Sequence, residues 1–177
     1  MRIAPLKGLP DWRELLPQAE EIFFSSSAVK SFADEAHRAR FRERWFGRYL
    51  DRYPESFLVA LDANGAAIGY LAGCLEDPRK TPLFADLAYY GAFGPLCDTY
   101  PAHLHINVAE AARSKGVGAA LIEAFAAQVA RAGLPGLHLV TDQGNRNVRF
   151  YEKNGFKVLA TTLSHNIPVV FMGRRTT

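Results

Sequence analysis

A short glycine-containing segment with two basic residues is the part of the sequence best suited to bind a ligand. It follows an apolar run that ends at Val108, and it contains Arg113, Lys115, Gly116 and Gly118. Glycines let a ligand approach the backbone closely, and the helix expected after them presents unpaired N–H groups and the positive end of its dipole. This pattern suits a phosphate or pyrophosphate group, although a glycine-rich turn can also serve only tight packing.

The strand that precedes this segment carries titratable side chains on one face. Because side chains alternate along a β-strand, His103, His105 and Asn107 share one face of the strand predicted over 103–108. The opposite face carries Leu104, Ile106 and Val108. Histidine titrates near neutral pH, so a strand histidine can exchange protons with a ligand, or it can be a structural residue satisfied by hydrogen bonds.

Composition indicates a globular protein with one domain over 1–177. The chain has 177 residues, 49% hydrophobic and 22% charged, and its net charge of +3 permits anionic ligands without implying nucleic acid. Cys74 and Cys97 lack the spacing of a zinc site or a disulfide framework, so we expect thiols and no metal. No apolar run can span a bilayer and the first ten residues lack the apolar core of a signal peptide, which predicts a cytoplasmic protein.

Apolar periodicity and turn signals predict an α/β fold, a single mixed sheet with helices on both faces. Asn64-Gly65 favours a hairpin between the second and third strands, and the long helix after Gly116 makes its flanking strands parallel. The predicted order is β-α-α-β-β-β-α-β-α-β-β. Its strands cover 2–6, 56–62, 68–75, 103–108, 137–141, 156–163 and 169–174, and its helices about 11–24, 31–53, 116–132 and 145–153.

The predicted helix over 31–53 combines an aromatic stripe with many arginines. Phe41, Trp45 and Tyr49 recur every four residues, and arginines fill the other positions. The pattern is compatible with a helix that binds nucleic acid, or with an amphipathic helix whose arginines are solvated or paired. Acidic residues interleave with the arginines, and this favours the second interpretation.

The stretch 76–102 is rich in Pro, Gly and aromatic residues and shows no clear periodicity. A long connection of this kind is often a functional loop or a lid over a pocket. Its aromatic side chains can equally fill a small additional core. The sequence leaves both interpretations open.

Two motifs and the element order resemble the GCN5-related N-acetyltransferase (GNAT) superfamily. The first is Val108 followed by Arg113-Ser-Lys-Gly116-Val-Gly118-Ala119, with Glu110 where the family often has Pro. The second runs from Gly144 to Phe156, with Gly144 in place of the family's first Asn, and it includes Asn147 and Tyr151. The segment 100–106 is also similar to acetyltransferase-like domains attached to some O-GlcNAc hydrolases.

The resemblance implies acetyl-CoA as co-substrate and places it on particular residues. The coenzyme's arm would pair with the strand at Ile106 and Val108, and the acetyl carbonyl would lie where this strand and the next one diverge. The implied pyrophosphate site is Arg113, Ser114, Lys115, Gly116, Val117, Gly118 and Ala119. Further coenzyme contacts are implied for Asn147, Phe150 and Lys153. The basic residues Arg146, Arg149 and Lys153 are candidates for the ribose phosphate, and a solvated helix face explains them equally.

The implied reaction is direct attack of an amine on the thioester, without a covalent enzyme intermediate. Tyr151 matches the family's proton donor to the departing thiolate, although it can also be a core residue packed on Phe150. His103 and His105 are the candidate bases. Glu76 and Asp77 are the alternative candidates for this role.

Two functions follow from the resemblance. The first is an N-acetyltransferase acting on an amine of a small molecule or a protein, as monomer or homodimer, with no nucleic acid or membrane partner. The second is a non-catalytic acetyl-CoA-binding or protein-interaction domain. An open cleft on the acceptor side favours the first, and a cleft filled by Tyr89, Tyr90 or Phe93 favours the second.

Overall fold

The computed structural model describes residues 1–27, 29–144 and 147–176. Among the described residues, seven strands and six α-helices follow the predicted order, except that the helix predicted over 31–53 is divided into two and one short helix is added before the fourth strand. The elements are β1 (Arg2–Pro5), α1 (Trp12–Ser26), α2 (Glu35–Arg42), α3 (Arg48–Arg52), β2 (Phe57–Leu61), β3 (Ala67–Cys74), α4 (Tyr90–Cys97), β4 (Ala102–Val108), α5 (Val117–Arg131), β5 (Gly136–Asp142), α6 (Asn147–Lys153), β6 (Lys157–Ser164) and β7 (Ile167–Arg175).

The strands form one mixed sheet in the order β1-β2-β3-β4-β5-β7-β6, which confirms the predicted α/β class. Only the pair β4 and β5 is parallel among the described pairings, with Ala102 opposite Leu137 and His103 opposite His138. The chain groups into two compact units, Met1–Gly73 with His105–Phe125, and Cys74–Leu104 with the residues from Ala126 onward.

The first unit is built on β2 and β3. All five residues of β2 are buried, and β2 joins β3 through the predicted hairpin, where the amides of Asn64 and Ala66 donate to Asp62 Oδ1 at 2.8 and 3.0 Å. Helix α5 packs close to β3 because glycines there leave room for it. A Cβ at Gly73 would overlap the ring of Phe125.

The helix predicted over 31–53 begins later and is interrupted. It starts at α2, where the Asp34 carboxylate caps the helix by accepting from the amide of His37 at 2.7 Å, and a π-helical segment, Glu43–Gly47, separates α2 from α3. Arg42 pairs with Glu20 and Arg38 with Glu35. These pairs support the amphipathic interpretation.

In the second unit the stretch 76–102 is more regular than predicted, since it contains α4. Phe93 and Cys97 of this helix are buried against Val169 and Phe171, so the aromatic residues here largely form a core. Cys74 and Cys97 are both buried and are not joined by a disulfide.

Among the described residues, no helix is long and apolar enough to cross a membrane.

Candidate functional site

The loop between β4 and α5 contains two residues in the left-handed backbone conformation. A short 3₁₀ turn, Glu110–Ala112, is followed by Ser114 with φ of 62° and Gly116 with φ of 80°, and α5 begins at the next residue. A Cβ on Gly116 would contact nothing within 4 Å, so glycine is favoured here by the positive φ and not by lack of space. A left-handed serine is uncommon, and such backbone strain clusters at ligand sites.

The same loop has exposed basic side chains, and the residues at its two ends are buried. Arg113 and Lys115 are exposed, and Arg113 Nε donates to the carbonyl oxygen of Val108 at 3.4 Å. Ala112 and Val117 are buried and fix the two ends of the loop. Since the first amides of a fifteen-residue helix lack intrahelical partners, this loop can bind an anion through the backbone and through two cations.

The first unit also holds the β4 face that carries His105 and Asn107, as alternation predicts. The ring of His105 packs against Trp45 of the π-helical segment, with centroids 5.2 Å apart, and Asn107 Nδ2 donates to Tyr70 Oη at 2.7 Å. Burial lowers the pKa of His105 to about 4. The imidazole is therefore neutral at pH 7 and is a weak proton acceptor.

In the second unit Tyr151 is buried on α6. Its side chain is 7% exposed, and its ring packs against Phe150 and Phe156 with centroids 5.2 and 5.9 Å away. Burial raises the pKa of Tyr151, so its phenol is protonated across the neutral range. Gly155 closes the helix with φ of 82°, as its position in the motif predicts.

The other predicted residues of this unit differ in exposure. Asn147 and Lys153 are exposed and can meet a ligand, whereas Phe150 is partly buried. Arg146 lies outside the described residues. His103 is 3% exposed and packs against Phe84, with centroids 4.5 Å apart, in the core of the second unit.

The carboxylate of Asp77, one of the alternative candidate bases, forms an ion pair with Arg79. Its buried carboxylate receives Arg79 Nη2 at 2.5 Å, and Arg79 also reaches Asp98 at 2.5 Å. Burial acts to raise the pKa of Asp77, but the hydrogen bonds from Arg79 outweigh it and hold this pKa below its usual value. Asp77 is therefore a structural anion held by a cation, which makes it a poor base.

The stretch 76–102, for which the sequence left a pocket as one of two interpretations, lines a cavity in the second unit. It has a volume of about 530 Å³, it is lined by residues between Pro78 and Gly91, and Tyr90 forms part of its wall. Phe93 is buried elsewhere, in the core cluster with Cys97. The many prolines of 76–102 indicate an irregular loop. They do not indicate which of its aromatic side chains line the cavity.

Among the described residues, no cluster of three or more His, Cys, Asp or Glu side chains could hold a metal ion. The predicted residues His105 to Ala119 all belong to the first unit, whereas His103, Asn147, Phe150, Tyr151 and Lys153 belong to the second.

Comparison with known families gives a match over most of the chain. The model of the acetyltransferase (GNAT) family matches residues 12–156. A mycothiol acetyltransferase of Parafrankia sp. (strain EAN1pec) is 32% identical over 134 residues, which cover 74% of this chain. The same match covers 38% of that protein, so this chain spans well under half of the relative's length.

Comparison with solved structures shows the same fold. SsHAT superposes with a TM-score of 0.76 at 24% identity, covering 99% of this chain and 98% of that one. An aminoglycoside 6'-N-acetyltransferase complexed with coenzyme A has a TM-score of 0.65 at 15% identity, covering 100% of both chains. PH1933 from Pyrococcus horikoshii OT3 has a TM-score of 0.71 at 17% identity, covering 98% and 97%.

Proposed function

Because the chain belongs to the acetyltransferase (GNAT) family, we propose that it transfers the acetyl group of acetyl-CoA to an amine. The observation that carries this proposal is the loop before α5, where two exposed cations, Arg113 and Lys115, precede left-handed Gly116 and the start of the helix. In the proposal the pyrophosphate lies on the amides of Arg113 to Ala119, and the coenzyme's arm pairs with β4 at Ile106 and Val108. Asn147, Phe150 and Lys153 supply further coenzyme contacts.

The reaction that we propose is a direct displacement. The lone pair of the amine attacks the thioester carbonyl, a main-chain N–H near Val108 stabilises the developing oxyanion, and the C–S bond then breaks with its electron pair on sulfur. The attacking nitrogen gives up one proton to a base or to water, and the sulfur leaves as a thiolate that accepts a hydrogen bond and then takes up one proton, so that the products are an amide and CoA thiol. A family relationship to enzymes named for mycothiol and aminoglycosides is compatible with a small-molecule acceptor.

Tyr151 is the group that we propose beside the departing sulfur. A free phenol has a pKa near ~10 and a thiol near ~8.5, so even an unperturbed Tyr donates to a thiolate somewhat uphill. Burial raises the pKa of Tyr151 further and makes complete proton transfer harder. We therefore assign to Tyr151 a hydrogen bond to the thiolate, which stabilises the leaving group without leaving a buried phenolate.

His103 and His105 stay candidates for receiving the proton of the amine, but the pKa of His105 limits the acceptor. An imidazole with a pKa of about 4 is roughly six units below an alkyl amine near ~10.4 and roughly four below an α-amino group near ~8. A weakly basic amine, or one that binds already deprotonated, fits this site best.

The alternative, a coenzyme-binding domain without activity, is favoured by the weak basicity of His105. The open cavity at Tyr90 favours an enzyme. One experiment separates them: acetyl-CoA should raise the melting temperature of the protein in both cases, whereas release of CoA thiol in the presence of amines should occur only for an enzyme. No shift at millimolar acetyl-CoA would contradict the proposal. Cytoplasmic location and a monomeric or dimeric state stay predictions.

A further inference from the structure

The π-helical segment, Glu43–Gly47, places a tryptophan against strand β4. Phe46 is fully buried and packs on Tyr70 of β3 with ring centroids 5.2 Å apart, so it anchors the segment on the sheet. The neighbouring Trp45 packs on His105 of β4, also with centroids 5.2 Å apart and with the ring planes at 65°. Because π-helical turns are rare and occur frequently at functional sites, Trp45 is well placed for a functional role.

The two rings, here called the Trp45–His105 corner, are only partly buried. Among the described residues, no group hydrogen-bonds to the indole N–H of Trp45 or to either ring nitrogen of His105. A neutral imidazole carries one hydrogen and one bare nitrogen, so His105 offers a ligand both a donor and an acceptor. The corner therefore combines accessible aromatic surface with hydrogen-bonding groups that a ligand can use.

The corner lacks a counter-charge for a positive ligand. Burial alone lowers the pKa of His105 to about 4, so no charged side chain among the described residues lies close enough to shift it further. An ammonium ion bound here would lose water without gaining an anionic partner, and such a charge is costly to bury. The attraction of a cation to the indole face is small beside this cost. The corner therefore favours an uncharged ligand.

An aromatic amine has the properties that the corner favours. Its nitrogen lone pair is delocalised into the ring, so it is uncharged at pH 7, unlike an alkyl amine such as that of lysine, whose pKa is ~10.4. Its ring can pack on the indole in the offset or edge-on arrangement that aromatic pairs prefer. Its N–H groups can donate to the bare nitrogen of His105.

The corner and the proposed thioester site belong to the same compact unit. Trp45, His105, Ile106 and Val108 all lie in the first unit. A β-strand rises about 3.3 Å per residue, so Val108 follows His105 by about 10 Å along β4. A ligand that contacts the corner is therefore within reach of an acetyl group carried beside this stretch of β4.

We propose that the Trp45–His105 corner binds the acetyl acceptor, and that this acceptor is an aromatic amine whose ring packs on Trp45 and whose N–H donates to His105. This inference rests on the proposed acetyltransferase function and adds to it the substrate class and a specificity-determining residue, Trp45. The amine nitrogen forms a bond to the acetyl carbon, and the C–S bond breaks with its electron pair on sulfur. One N–H proton leaves to water and the thiolate takes one up, so the products are an N-aryl acetamide and CoA thiol.

The first test compares two isomers on the full chain. 4-Methylaniline and benzylamine have the same atoms, but at pH 7 the first is uncharged and the second is an ammonium ion. Binding to the protein saturated with CoA is measured by calorimetry, and CoA release is measured with acetyl-CoA. We expect 4-methylaniline to bind at least tenfold more tightly and to have the higher kcat/KM. Tighter binding of benzylamine, or no binding of 4-methylaniline at millimolar concentration, would overturn the proposal.

The two tryptophans of the chain provide a matched pair of variants. Trp12 is also partly buried, but it lies on α1, with Lys7 Nζ and the Arg13 guanidinium 5.9 and 4.6 Å from its ring centroid. Trp45→Leu should raise KM for 4-methylaniline about tenfold with a smaller change in kcat, whereas Trp12→Leu should change neither. Trp45→Phe keeps an aromatic ring and should restore most of the lost affinity.

The outcomes for the site and for the function can be told apart. The acetyl-CoA thermal shift should be retained in all three variants. An unchanged KM in Trp45→Leu with a normal shift would reject this site alone, whereas a wild-type protein without any shift would reject the proposed function.

Contact with Trp45 can be measured without any activity. A two-dimensional ¹H–¹⁵N spectrum contains one indole N–H signal for each tryptophan, and Trp12→Phe assigns the signal of Trp45. Titration with 4-methylaniline should move the Trp45 signal more than that of Trp12. The reverse order, or movement of neither signal, would overturn the proposal.

Discussion

Replacement of Gly116 by alanine is the sharpest test of the coenzyme loop, because the chain contains a matched control. Gly116 and Gly65 are both exposed, have φ of 80° and 84°, and would give an added Cβ no contact within 4 Å. Gly65 lies in the hairpin between β2 and β3, which has no part in the proposed site. The two substitutions therefore impose the same strain at different places.

The expected effects on stability are equal. An L-residue in the left-handed region costs about 1–2 kcal/mol, so both Gly116→Ala and Gly65→Ala should be destabilised by this amount. For a domain of this size, a loss of 1 kcal/mol lowers the melting temperature by about 2–4 °C. Differential scanning calorimetry of the two proteins without ligand provides this baseline.

The expected effects on acetyl-CoA binding are different. If the loop relaxes away from the left-handed conformation in Gly116→Ala, at least one amide leaves the pyrophosphate, and a hydrogen bond to a charged group contributes about 1.5–3 kcal/mol. The dissociation constant for acetyl-CoA should rise roughly tenfold to a hundredfold. Gly65→Ala should bind as the wild type does. Titration calorimetry measures both, and equal affinities in the two variants would refute the assignment of the loop.

Three further predictions concern proton chemistry. Tyr151→Phe should lower kcat for acetyl transfer roughly tenfold to a hundredfold with little change in acetyl-CoA affinity, because a hydrogen bond to a charged group contributes about 1.5–3 kcal/mol. An unchanged kcat would remove Tyr151 from the reaction. The value of kcat/KM should rise about tenfold per pH unit up to the pKa of the amine. It should show no inflection near ~6.5, because His105 is already neutral at that pH. An inflection there would mean that an unperturbed histidine is the base. Since the folded pKa of Asp77 is depressed, its contribution to stability should be complete above its unfolded pKa of ~3.9 and be lost as the pH falls below it. Urea unfolding at pH 5 and pH 3 should show a smaller loss in Asp77→Asn than in the wild type.

Local chemistry made much of the fold predictable. The hairpin at Asn64-Gly65 is set by turn residues that bond within four positions, and the ends of α5 and α6 are set by Gly133 and Gly155, whose φ values are 70° and 82°. The glycine loop before α5 is likewise encoded in contiguous residues. Features of this kind can be predicted because the sequence itself contains both partners.

Helix α4 could not be predicted in the same way, because several of its residues have a low propensity for helix. Gly91, Gly94 and Pro95 are all poor helix formers, and tertiary burial of Phe93 and Cys97 overrides them. The π-helical segment, Glu43–Gly47, was also not apparent, since the periodicity of apolar residues continues through it. The hydrogen bond between Tyr90 and His138 joins residues 48 positions apart, and neither residue belongs to a motif.

Burial changes the proton chemistry that the sequence predicts for the histidines. On the strand, His105 has the residue type of a base, but burial lowers its pKa to about 4, and the same cause lowers that of His138 to about 4. Two neutral imidazoles offer hydrogen-bond acceptors at neutral pH and little capacity to store a proton. In the proposed reaction the ammonium form of the acceptor therefore loses its first proton to solvent, and the free amine is the form that attacks.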